Sequence, residues 1–216
     1  MTRRTGLRIG LGVALAAVLL GLWLFGRPAA FHFLPLAWTG EADRLTAVLG
    51  VQPGMTLAEI GAGSGRLAFE MARRIGPDGR VLVTELDPGK RKSLAGRARE
   101  LEFRQVQVIE AGERDTGLPP GCCDAMFMRN VLHHIDARRD YAAGVAKAMK
   151  PGGIFVVIDF SPGAMGHLAG DHGVSPEEVR ATFMAAGFRV VQHVPDWGGR
   201  MYLLAFRYEP GANESP

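Results

Sequence analysis

The chain has 216 residues, 47% hydrophobic and 22% charged, which suits one domain plus a short appendage and excludes a disordered chain. Its formal charge of +3 is local: Arg3, Arg4, Arg8 and Arg27 precede the first acidic residue, Glu41, and beyond them 21 basic residues face 22 acidic ones. A domain so nearly neutral lacks the clustered basic excess of a DNA- or RNA-binding face, so no nucleic-acid partner is expected.

In chain order, residues 1–35 come first, a basic flank followed by an apolar segment. Ile9 to Phe25 carries no charge and is bracketed by arginines. At about 1.5 Å per residue, a helix there falls somewhat short of the roughly 30 Å hydrocarbon core. Snorkelling arginines with Trp23, Phe31 and Phe33 make up the difference. The expectation is a single-pass N-terminal membrane anchor. A cleaved secretory signal has the same outline, and the lack of a clean Ala-x-Ala site after Phe25 favours the anchor. Three arginines before the segment favour a cytoplasmic N-terminus, which would place the domain outside the cytoplasm; the side stays open.

Residues 36–208 form the domain, and strand-like runs alternate with helix-like ones, the pattern of a parallel α/β sheet. Glu41–Leu49 reads as a helix with Leu45, Val48 and Leu49 on one side. Thr56–Ile60 is a first strand, Leu67–Ile75 a helix, Val81–Leu86 a second strand and Pro88–Glu100 a charged helix. Val106–Ile109 and Ala125–Met128 supply the third and fourth strands. A helix from Arg138 to Met149 leads through Pro151-Gly152-Gly153 into a fifth strand, Ile154–Phe160. Ser175 caps the next helix in a capping box with Glu178. Arg189–Val194 and Met201–Phe206, joined by a short glycine-containing connection, should pair antiparallel. The fold expected is a Rossmann-like doubly wound α/β sheet, mostly parallel with an antiparallel last strand, preceded by an N-terminal apolar helix. Residues 209–216 read as a frayed tail. The adjacent Cys122 and Cys123 read as two small buried residues entering a strand, with no zinc spacing around them.

The chemistry concentrates in Glu59-Ile60-Gly61-Ala62-Gly63-Ser64-Gly65, between the first strand and the next helix. Open α/β sheets bind ligands at this carboxyl edge. Three alternate glycines let the backbone turn sharply and approach a ligand without Cβ obstruction. The helix start then offers hydrogen-bond donors. A dinucleotide fingerprint needs Gly or Ala at its sixth position. Arg66 stands there, which disfavours a nucleotide-cofactor oxidoreductase. Glu85, ending the second strand, can accept hydrogen bonds from both hydroxyls of a ribose.

These residues resemble the class I methyltransferases that depend on S-adenosylmethionine (SAM). The likeness runs from Glu41 to Tyr208. After the glycine loop its landmarks are Val83-Thr84-Glu85-Leu86-Asp87-Pro88, Asp115-Thr116-Gly117-Leu118-Pro119, Asn130-Val131-Leu132-His133-His134-Ile135 and Lys150-Pro151-Gly152-Gly153. The resemblance implies SAM as cofactor, with Gly61, Ala62, Gly63 and Gly65 under its methionine part and Glu59 near its ammonium. Glu85, with Leu86 beside it, would hold the ribose, Gly112 and Glu113 would lie at the adenine edge, and Asn130 beside the methionine moiety.

Methyl transfer from a sulfonium needs mainly positioning and exclusion of water. Where the acceptor must lose a proton, His133, His134 and Asp159 are the candidate catalytic residues. His167, Asp171 and His172 read as loop chemistry, and no metal is expected. No Asn/Asp-Pro-Pro-Tyr/Phe signature follows the fourth strand, so the acceptor expected is a small molecule or lipid, with the membrane contacted through the N-terminal segment. The alternative is a catalytically inactive, membrane-anchored module of the same fold.

Overall fold

The computed structural model describes residues 35–163 and 173–211. The expected anchor, the loop residues His167, Asp171 and His172, and the last residues of the tail lie outside the described residues. The chain divides between Glu41 and Ala42, and every site residue discussed below belongs to the second unit. Among the described residues no helix is long and apolar enough to cross a membrane.

The elements are α1 (Pro35–Leu49), β1 (Thr56–Ile60), α2 (Arg66–Ile75), β2 (Arg80–Glu85), α3 (Pro88–Glu100), β3 (Val106–Glu110) and β4 (Cys123–Arg129). A 3-10 turn (Leu132–His134), α4 (Arg138–Ala148), β5 (Met149–Phe160), α5 (Pro176–Ala185), β6 (Phe188–Gly198) and β7 (Met201–Tyr208) follow. The seven strands form one sheet in the order β3-β2-β1-β4-β5-β7-β6. β1 to β5 pair in parallel, and β7 is antiparallel to both its neighbours. The doubly wound sheet with an antiparallel last strand is therefore present.

Side chains alternate across a strand with period two. Ala58, Ile60, Leu82, Met126, Met128, Phe155, Val157 and Phe206 join Tyr141, Ala142 and Val145 of α4 and Phe183 of α5 in one buried cluster. Their neighbours in the strands, including Leu57, Val81, Val83, Phe127 and Val156, are equally buried. Alternation turns these to the opposite face, where α2 and α3 pack on β1, β2 and β3. A sheet covered on both faces has strands that read as continuous apolar runs. Phe155, Phe183, Phe188 and Phe206 stack with ring centroids 4.8–6.4 Å apart, which fastens α5 to the β5-β7-β6 end.

Two expectations need correction. The fifth strand starts at Met149 and not at Ile154. A bulge lets β5 pair Met149 with Cys123 and then Ile154 with Ala125, so Pro151-Gly152-Gly153 is an irregularity within the strand. Gly153 is required there, because a Cβ would lie 2.8 Å from the Asp124 carbonyl oxygen and 2.5 Å from Met149 Sδ. Secondly, Cys122 and Cys123 are joined as a vicinal disulfide, where the sequence reads as two separate small residues. Cys123 is buried as expected.

Candidate active site

β1 ends at Ile60, and the chain turns through three glycines in the left-handed region, with φ of 66°, 54° and 71° at Gly61, Gly63 and Gly65. The three have different neighbours. A Cβ on Gly61 would lie 2.6 Å from Val131 Cγ2, and one on Gly65 2.5 Å from Leu94 Cδ2, whereas one on Gly63 would meet nothing within 4 Å. Gly61 and Gly65 are thus packing glycines, and Gly63 faces open space.

Glu85 is buried at the end of β2. Its Oε2 accepts from the Gly63 N–H at 3.0 Å, and its Oε1 from the N–H groups of Leu86 at 3.0 Å and Asp87 at 3.2 Å. The carboxylate therefore ends the strand one residue before the expected Leu86 and stitches it to the glycine loop. Ala62 adds a second stitch, donating its N–H to the Thr84 carbonyl at 3.1 Å. Leu86, beyond the strand, presents a large exposed apolar surface beside Glu85.

Glu59 has a duty that motif reading missed. α2 begins at a glycine with no side-chain cap of its own, and buried Glu59 accepts from the Ala68 N–H at 2.8 Å. This carboxylate answers the unpaired donors and positive end of the helix from the preceding strand. The contact spans nine residues of sequence and no motif marks it.

Gly112 and Glu113 are exposed just beyond β3, in a turn closed by Gly112 N–H to the Asp115 carbonyl at 2.9 Å and by Gly117 N–H to Asp115 Oδ1 at 2.6 Å. On the other side of β1, Asn130 follows β4 in the left-handed region at φ 56°, its N–H held by the Ile158 carbonyl at 2.8 Å. An L-residue adopts that conformation at a cost, and such outliers gather at ligand sites. Its Oδ1 is buried without a hydrogen-bond partner, as is Thr84 Oγ1. Buried polar atoms are ordinarily paired, so these two invite a ligand.

Of the three catalytic candidates, His133 and Asp159 form a hydrogen-bonded pair: Nδ1 of His133 lies 2.6 Å from Asp159 Oδ1, and the His133 N–H donates to Oδ2 at 3.3 Å. Phe160 N–H donates to Oδ1 at 2.8 Å, and Asp159 is 0% exposed. His134 is exposed, its ring 4.0 Å from that of His133. Behind the pair, Tyr202 lies opposite Asp159 in the register and donates its hydroxyl to the Val174 carbonyl at 2.9 Å. Burial, with Asp159 and the acids of α5 adding to it and Arg138 opposing, holds the Tyr202 hydroxyl far above the usual phenol range. Among the described residues no group of three or more His, Cys, Asp or Glu is placed to hold a metal ion. A cavity of about 500 Å³ lies between α3 and β3, around Ala98, Phe103 and Val106, at the opposite edge of the sheet.

The sheet and its stitched glycine loop are those of an open α/β fold that binds its ligand at the carboxyl edge. Residues 58–155, 98 of the 216 residues, match the family described as "Methyltransferase domain", which points over that stretch to the class of SAM-dependent methyltransferases. A curated relative, the "Ubiquinone/menaquinone biosynthesis C-methyltransferase UbiE" of Ectopseudomonas mendocina (strain ymp), is 33% identical over 119 residues, 52% of this chain and 44% of that protein. The chain thus spans less than half the length of this relative. Among solved structures, a SAM-dependent methyltransferase from Aquifex aeolicus superposes with a TM-score of 0.71 at 19% identity, covering 84% of this chain and 98% of the other. The geranyl diphosphate C-methyltransferase of Streptomyces coelicolor A3(2) gives 0.67 at 20% identity, covering 78% of each chain.

The residues present fit the cofactor of that class. Gly63 leaves an open cradle, Thr84 and Asn130 leave orphaned oxygens, and Glu85 is held at the loop.

Proposed function

We propose that this domain transfers the methyl group of SAM to a small, lipid-like acceptor, and that Ile9–Phe25 tethers it to a membrane. The observation that carries the donor half is the Glu85–Gly63 hydrogen bond at 3.0 Å, which sets a ribose-binding acid against the glycine cradle. The acceptor class rests on the relatives, C-methyltransferases named for quinone biosynthesis and for geranyl diphosphate. The tether rests on the charge-free run between arginines.

Bound SAM supplies a methyl group activated by its sulfonium. The chain's own residues bind and orient it. Backbone from Gly61, Ala62, Gly63 and Gly65 holds the methionine part, with Glu59 near the ammonium and the Asn130 oxygen alongside. Glu85 holds the ribose diol, flanked by Leu86, and Gly112 and Glu113 sit at the adenine edge. The glycine loop brings backbone N–H groups to the ligand without side-chain obstruction.

The test is calorimetric titration of the full chain in detergent with SAM, S-adenosylhomocysteine and NADH. Binding of the two adenosyl ligands alone supports the reading. A folded sample that binds NADH, or none of the three, overturns it. Release of the chain from membranes by alkaline carbonate alone would remove the tether.

A further inference from the structure

We propose that His133 is the general base of this site and Asp159 its positioning residue, so that the acceptor is an O–H acid, a phenol or enol, and not a sulfur nucleophile. This rests on the methyl-transfer reading and adds the proton chemistry to it.

The geometry fixes the roles. Asp159 lies fully buried at the end of β5, and its two oxygens take three donors: the Phe160 N–H, the His133 N–H and His133 Nδ1. A carboxylate only accepts, so Nδ1 carries a proton, and the neutral ring then keeps its lone pair on Nε2. The same partner orients the ring, as a carboxylate does for an imidazole that must present its other nitrogen. His134 at 4.0 Å and Phe160 at 5.7 Å wall the imidazole. The corner that bears it is pressed to the cofactor loop: Val131, two residues earlier, is the side chain a Cβ on Gly61 would strike. His133 therefore stands at the cradle edge, with the exposed His134 beside it.

The choice of acceptor follows from when a base is needed. A phenol such as the tyrosine side chain ionises near pH 10 and keeps its proton at neutral pH, whereas a thiol ionises near about 8.5 and needs far less help. In the step, the acceptor O–H proton passes to His133 Nε2. The freed electron pair, on oxygen or delocalised to the adjacent carbon, forms the new bond to the methyl carbon. The methyl–sulfur bond breaks and its pair stays on sulfur, leaving a neutral thioether. The imidazolium so formed faces Asp159, and its proton then leaves to solvent. The other titratable or charged groups around the pair are His134 beside it, Tyr202 of β7 behind Asp159, Arg138 of α4 (whose Nε donates to the Leu132 carbonyl at 3.4 Å), and Glu177 and Glu178 of α5.

The experiment uses the full chain with SAM and two probes, a short-chain prenylated hydroquinone and an alkyl thiol. The expected result is methylation of the hydroquinone in preference to the thiol. His133→Asn keeps a donor where Nδ1 stands but has no base, so the rate on the hydroquinone should fall about 10²- to 10³-fold. SAM affinity and melting temperature should stay near wild type, and added imidazole should restore part of the rate. The pH profile of the rate should differ between wild type and the variant. Histidine ¹⁵N spectra without acceptor should show His133 protonated at Nδ1 and bare at Nε2, and Asp159→Asn should erase that preference. A His133→Asn enzyme as fast as wild type, a thiol preference, no methylation of the hydroquinone by a SAM-binding chain, or an Nε2–H tautomer overturns the proposal. No SAM binding at all removes the donor reading, and this inference with it.

Discussion

The two halves of the sheet's carboxyl edge are built differently. On the β1–β2 side the site is made of backbone: glycines with positive φ, amide donors and one acid that gathers three of them. On the β4–β5 side it is made of side chains, a histidine and a buried acid that meet across 26 residues of sequence. A backbone cradle depends on the absence of Cβ atoms and fails by obstruction. A side-chain pair depends on proton position and should survive conservative exchange in structure while failing in chemistry. The edge can therefore be broken one half at a time.

The largest effect is expected at Gly65. Gly65→Ala combines a left-handed φ with a Cβ 2.5 Å from Leu94 and 2.9 Å from Phe69. It should lower stability by roughly 2–4 kcal/mol through strain and overpacking and abolish measurable SAM binding; denaturant unfolding and calorimetry check both. Gly63→Ala separates the two causes. Its Cβ meets no protein atom within 4 Å, so stability should fall by only about 1–2 kcal/mol from the backbone conformation, while SAM affinity drops at least about tenfold by occupying ligand space. Equal affinity in Gly63→Ala and wild type would show that the cradle is no cradle.

Glu85→Gln sharpens the same half. The amide keeps one accepting oxygen, loses the charge and turns an NH2 toward backbone donors that the second oxygen took, so the loop should loosen by about 1–3 kcal/mol while the sheet holds. SAM affinity should fall about 10- to 100-fold, the worth of one charge-assisted hydrogen bond, about 1.5–3 kcal/mol.

The side-chain half should be the one that alkali loosens. Tyr141, in α4 on the β4–β5 side, is raised from 10.0 to about 12 by burial, with the Asp115 charge adding to it. A phenol harder to ionise when folded contributes stability in full below the unfolded pKa of 10.0 and loses it as pH rises to about 12. The loss, about 2–3 kcal/mol at most, should show as a falling melting temperature across that window, and Tyr141→Phe should flatten the slope. The smallest effect is at the helix that closes this side. The Ser175 hydroxyl accepts from the Glu178 N–H at 3.1 Å, and Ser175→Ala should cost about 1 kcal/mol in denaturant unfolding.

Most of the fold was legible because the strands follow simple rules. Thr56–Ile60 and Pro88–Glu100 begin and end where pattern and caps place them, Asp87 receiving the Lys90 N–H at 2.7 Å as an N-cap. The donor half was legible for a related reason: a glycine needed for its missing Cβ is visible as a letter. What was not legible depends on partners distant in sequence. Glu59 reads as a ligand-side acid, and only the fold shows it capping α2. His133, His134 and Asp159 read as equals until β5 brings Asp159 to the Nδ1 of His133. The early start of β5 was hidden because Pro151-Gly152-Gly153 is a turn signal that a bulge absorbs into a strand.

The position of β7 has a consequence for synthesis. It is the last described strand in chain order, yet it lies inside the sheet, between β5 and β6, with Tyr202 opposite Asp159. Until it inserts, β5 is an edge and Asp159 lacks its neighbour on that side. The glycine loop and the three amides that Glu85 accepts all lie before residue 88, so they are synthesised long before β7. The buried acid that positions the imidazole is sealed on that side only when β7, the last described strand, takes its place.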